Sequence, residues 1–123
     1  MSAEDLELAQ QFLDALAIAA KTGERDGVYE LLAADVEWVT QMRALRGIDE
    51  VRDQLSWVRP PDNLDVDFEE PELSDLGGGR VGSDVHEIYR MKGSGDFAYT
   101  RDRRIELTIR EGVVARYEMR VVG

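Results

Sequence analysis

The chain contains no cysteine. Disulfides, thiolate metal sites and a cysteine nucleophile are therefore excluded. A single histidine, His86, does not favour a zinc centre. Basic residues are sparse over most of the length. Residues 1–79 hold 6 basic and 19 acidic side chains, a net of −13, and residues 80–123 hold 9 basic and 7 acidic, a net of +2. An acidic shell repels phosphate backbones, so nucleic acid is not an expected partner. No apolar run approaches the roughly 18 residues of a spanning helix, so no membrane partner is expected. The opening M-S-A-E-D-L-E-L is acidic where a secretory signal is basic, and the expected location is the cytoplasm. The three glycines at 77–79 lack the lysine and strand-to-helix setting of a phosphate loop, and no cofactor is expected.

What is present is enough for one core. The 123 residues are 43% hydrophobic and read as a single domain over 1–123. Ser2 and Asp5 suggest a helix start, and Leu6, Ala9, Phe12, Leu13, Leu16, Ala17 and Ala20 recur at helical spacing. Gly23 is a helix stop. Asp26 is the expected N-cap of a short second helix carrying Val28, Leu31 and Leu32, broken by Asp35. A strand is expected over 36–41. Gly47 introduces a third helix with Ile48, Val51, Leu55 and Val58 on its buried side, ended by Pro60 and Pro61.

The remainder reads as sheet. Leu64, Val66 and Phe68 alternate with Asp65, Asp67 and Glu69. Long strands are expected over 81–92, 97–110 and 113–122, separated by Gly93-Ser94-Gly95-Asp96 and Glu111-Gly112. Alternation places Val85, Glu87, Tyr89 and Met91 on one face of the first. It groups Tyr99, Arg101, Arg103, Ile105, Leu107 and Ile109 on the second. On the third it groups Val113, Ala115, Tyr117, Met119 and Val121. A three-residue final turn with Gly112 left-handed keeps these faces together and pairs Ile109 with Val113.

In this order, three stretches carry a resemblance: R-D-G-V-Y-E-L-L-A-A-D-V-E-W at 25–38, L-R-G-I-D-E-V-R at 45–52, and R-E-G-V-V-A-R-Y-E-M at 110–119. With the long first helix they resemble the NTF2-like superfamily, in particular SnoaL-like and ketosteroid-isomerase-like domains. The resemblance implies an α+β, cystatin-like cone, with three N-terminal helices packed on a strongly curved, mostly antiparallel sheet around an internal pocket. It also implies a homodimer through the convex face, which would present His86, Asp102, Arg104, Glu106, Val114, Arg116 and their neighbours. The scaffold hosts isomerases, cyclases, hydrolases and binding modules, so fold alone does not assign chemistry. The tyrosine and aspartate that ketosteroid isomerases use match Leu16 and Thr40 here, which cannot serve. The arginine between two aspartates of epoxide hydrolases is also absent.

Glu87 is the only acid on the inner face of the three long strands. An apolar site raises a carboxylate's pKa and suits it to proton transfer, whereas a neighbouring arginine keeps a carboxylate ionised. Glu87 is therefore either a tentative base or the partner of Arg101 or Arg103 in a register-holding ion pair. Arg103 is the tentative oxyanion partner. Trp38, Tyr89, Tyr99, Arg101, Tyr117 and Met119 are the candidate ligand contacts, and no metal ligands are assigned. The expected partner is a small hydrophobic, carbonyl-bearing molecule. The competing readings are a polyketide-cyclase-like lyase or isomerase using Glu87, and a dimeric interaction module with a filled core.

Overall fold

A computed structural model describes residues 3–54 and 62–122. The expected roles of Ser2, Leu55, Val58, Pro60 and Pro61 lie outside the described residues. Helix α1 runs Ala3–Thr22 and buries Ala9, Phe12, Leu13 and Ala19, the last not among the positions expected from spacing. It ends at Gly23, whose φ of 80° is the left-handed stop that a side chain would resist. Helix α2 spans Asp26–Glu30 and turns Val28 inward. Its cap is Arg25, not Asp26, and makes no side-chain hydrogen bond. The Asp26 amide instead donates to Glu24 Oε1 at 3.3 Å.

The chain then forms β1 (Leu32–Val39), β2 (Ala44–Arg46), α3 (Ile48–Gln54), β3 (Leu64–Phe68), β4 (Glu72–Gly77), β5 (Arg80–Met91), β6 (Phe97–Arg110) and β7 (Val113–Val122). Two of these strands, β2 and β4, are too short and too polar to announce themselves by alternation. Strand β1 also starts earlier than expected and includes Asp35. An irregularity between Leu32 and Glu37 lets an exposed aspartate sit inside a strand, where it pairs with Arg110 at 3.0 Å.

The seven strands form one sheet in the order β2-β1-β7-β6-β5-β3, with β4 also pairing β5. Among the described residues only β1 against β7 is parallel. Strands β3 and β4 share one edge of β5: Leu64–Phe68 lies along 87–91, and Glu72–Gly77 along 80–84. Helix α1 packs against β3, β4 and β6. Its Phe12 is fully buried and lies 6.2 Å from the Trp38 ring and 6.1 Å from Tyr117, which themselves stack at 3.8 Å. A smaller apolar cluster of Leu64, Val66 and Tyr89 closes the other end.

The last hairpin departs from the expected three-residue turn. Arg110 pairs Val113 and Ile109 pairs Val114 across a two-residue loop. Glu111 at φ 53° and Gly112 at φ 77° carry the paired left-handed conformations that favour such a tight hairpin. Faces stay consistent because the register shifts between Thr108 and Ile109, inserting one residue in β7. Val114 is consequently fully buried rather than on the convex face, and Leu107 meets Tyr117 rather than Ala115. An L-residue held left-handed is strained, and asparagine tolerates that region better. Replacing the exposed Glu111 by Asn is expected to stabilise the fold by about 0.5–1 kcal/mol in urea titration. A neutral or destabilising result would count against the tight-turn assignment.

Candidate functional site

The concave face of the sheet and the inward side of α1 line a half-open cavity of about 740 Å³. Its sheet wall is built by alternation: Val85 and Glu87 from β5, Arg101, Arg103 and Ile105 from β6, Tyr117 and Met119 from β7. Trp38 and Thr40 close one side, and Phe68 to Pro71 the other. The helix wall is less apolar than the core spacing suggested. Leu13, Leu16, Ala17 and Ala20 supply carbon surface, but Gln10, Asp14 and Lys21 also line the space. Asp14 and Lys21 are exposed, so this polar stripe is solvated as expected and rims the open side of the space. The spacing of all three, four and seven residues apart, places them on one side, and Gln10 Nε2 donates to Asp14 Oδ1 at 3.0 Å.

Six of the residues singled out by sequence line this cavity: Trp38, Glu87, Arg101, Arg103, Tyr117 and Met119. Tyr89 and Tyr99 do not. They stack on each other at 4.5 Å beside the second apolar cluster, because register places them directly opposite and one step beyond the cavity. Leu16 and Thr40 both line the cavity. The side chains matched to the isomerase tyrosine and aspartate are thus at the site and carry neither a phenol nor a carboxylate.

Glu87 is 5% exposed and sits at the cavity wall. Register puts Arg101 directly across from it. The carboxylate nevertheless reaches diagonally to Arg103, whose Nε donates to Oε1. Its other oxygen, Oε2, accepts from the Tyr89 hydroxyl at 3.0 Å. Both carboxylate oxygens are thus engaged by donors. Burial and the charge of Glu87 push the Tyr89 phenol up to about 12, so it stays a donor at neutral pH. Tyr89 is therefore a support for Glu87 and not a wall of the cavity. Arg103 Nη1 also approaches Met119 Sδ at 3.8 Å.

Two neutral donors complete the wall. Tyr117 and Trp38 are nearly buried, yet among the described residues neither the phenol nor the indole N–H has a hydrogen-bond partner, and both polar atoms remain accessible. Burial raises the Tyr117 phenol well above its ordinary pKa, so it too holds its proton. Among the described residues no cluster of His, Cys, Asp or Glu is arranged to hold a metal ion. His86 lies on the convex side beside Asp102, whose hydrogen bond raises its pKa.

With this geometry the chain has the NTF2-like, cystatin-like fold. An NTF2-like protein from Anabaena variabilis ATCC 29413 superposes with a TM-score of 0.80 at 11% identity, covering 100% of this chain and 93% of the other. A candidate polyketide cyclase from Xanthomonas campestris pv. campestris gives 0.71 at 18% identity, over 95% and 89%. A candidate ketosteroid isomerase from Kribbella flavida DSM 17836 gives 0.68 at 15%, over 98% and 78%. No family's sequence profile matches the chain, and no curated protein matches it. Among the described residues no helix is long and apolar enough to cross a membrane.

Removing the charge of Glu87 while keeping its shape leaves Arg103 facing a neutral amide. Glu87→Gln is expected to destabilise the protein by about 1–3 kcal/mol in chemical denaturation. A neutral or stabilised variant would overturn the ion-pair assignment.

Proposed function

We propose that the protein binds a small apolar, carbonyl-bearing molecule in the cavity between α1 and the sheet. The observation that carries this reading is the wall itself. Aliphatic surface from Leu13, Leu16 and Ile105 lines the same space as a cluster of polar groups in which, among the described residues, Trp38 N–H and Tyr117 O–H have no partner. A largely apolar pocket with a few available donors orients a carbonyl oxygen, and 740 Å³ is within the range of small-molecule sites. A cavity of this size weighs against an interaction module with a filled core.

A second reading is a lyase or isomerase in which Glu87 takes a proton alpha to that carbonyl. What favours it is the position of a nearly buried carboxylate at the cavity wall, close to the donors that could hold a developing oxyanion. Arg103 is a weaker oxyanion partner than the sequence suggested, since its Nε is already committed to Glu87. The Tyr117 hydroxyl takes over that part of the proposal.

The test is a thermal-shift screen of wild type and Glu87→Gln against steroids, aromatic polyketides and terpenoids carrying carbonyls. A saturable shift with one class supports the binding reading. Enzyme-dependent deuterium exchange at the carbon alpha to the carbonyl, lost in Glu87→Gln, supports catalysis. No shift with any class, over a cooperative melt, would count against the pocket.

The proposal includes a homodimer through the convex face, supported by its mixture of exposed charges of both signs around Arg104 and Glu106. Sedimentation equilibrium is expected to give twice the monomer mass; a monomer at high protein concentration ends this part of the proposal.

A further inference from the structure

Three cations line the cavity: Lys21, Arg101 and Arg103. Lys21 is 3.6 Å from Asp67, and Arg103 holds Glu87. Among the described residues Arg101 makes no ion pair and no hydrogen bond; its guanidinium only lies 5.9 Å from the Tyr89 ring centroid. The sheet register makes this notable. Arg101 stands directly opposite Glu87, the natural place for an ion pair, and that carboxylate is turned away toward Arg103 and Tyr89.

We infer that the ligand carries a single carboxylate, which pairs with Arg101, on an apolar body that lies along α1. This rests on the cavity being a ligand site, as proposed above, and narrows its ligand class. A guanidinium is a planar fork whose donors match a carboxylate two to two, and its charge is permanent. Arg101 is only partly exposed, so a bound anion would meet it at lower dielectric than in water. The apolar surface of Leu16, Ala17 and Ala20 takes the carbon chain. The same cavity is also lined by Glu69 and Glu70, neither of which makes an ion pair among the described residues. With Asp14 on the helix wall these acids repel negative charge away from Arg101, so one carboxylate is accommodated against that guanidinium and a phosphate or dicarboxylate is not.

The test compares decanoate with decanamide, and 2-naphthoate with 2-naphthamide, by isothermal calorimetry or Trp38-sensitive fluorescence. Each pair has one shape and differs in charge. Wild type is expected to bind at least one acid about tenfold or more tighter than its amide, the size of a charge-assisted bond. Arg101→Gln is expected to bring acid and amide to equal affinity with an unchanged melting temperature, and Arg101→Lys to recover part of the difference. Succinate and inorganic phosphate are expected not to compete. An amide that binds wild type as well as its acid overturns this inference and leaves the pocket reading standing. So does an acid preference that survives Arg101→Gln. Failure of every acid and every amide to bind overturns both.

Discussion

The cavity exists because of where one phenylalanine sits. Phe12 is fully buried at the meeting of α1, β1 and β7, with the stacked Trp38 and Tyr117 rings against it. Aromatic side chains bury the largest apolar areas available and prefer edge and offset geometries, so such a cluster fixes both distance and tilt. It anchors the helix at the end of the sheet where apolar rows are dense. Beyond it the rows become Ile105 and Met119, then Val85, Arg103 and Val121, then Phe68, Glu87 and Arg101. The polar content rises toward Glu87 and Arg101, and α1 meets the sheet again beyond them, where Ala20 packs on the Leu64, Val66 and Tyr89 cluster. The same element is therefore core at one end and cavity wall along its middle.

Within that wall, a single choice of partner organises the charges. Glu87 could satisfy itself on the arginine directly across the ladder or on the diagonal one. It takes the diagonal, and Tyr89 holds its second oxygen from the same strand. A buried carboxylate that lost these bonds would carry a large desolvation penalty, which is why the arrangement is tight. Its consequence is an arginine with no carboxylate of its own at the edge of the same space. The convex face behaves differently. Arg116 bridges Glu37 and Glu118, and Arg104 lies over Gly82, where a Cβ would come within 2.4 Å of its guanidinium, while reaching Asp84. These partly exposed pairs are worth little each.

Much of the architecture could be read directly because it follows from local periodicity. The spacing of Ala9, Phe12 and Leu13 marks the inward side of α1, and Leu64, Val66 and their aspartates mark β3. The inward run Glu87, Arg101, Arg103, Tyr117 and Met119 follows from alternation on long strands, and all five line the cavity. Period-two and period-3.6 patterns depend only on neighbours in the chain, so the order of residues is sufficient for them.

What needed the tertiary structure was everything decided by contacts between distant residues. The tight Glu111-Gly112 turn and the extra residue in β7 compensate each other, and neither is visible until both strands are paired. Alternation placed Tyr89 and Tyr99 with the pocket residues, but the strand register sets them opposite each other one step past its end. Gln10, Asp14 and Lys21, a polar stripe on α1, border the same space, with Asp14 and Lys21 exposed at its open side. And no property of the sequence distinguishes Arg101 from Arg103. Two residues apart on one face, they have the same chemistry; only the reach of Glu87 across the folded sheet gives one a carboxylate partner and, among the described residues, leaves the other without.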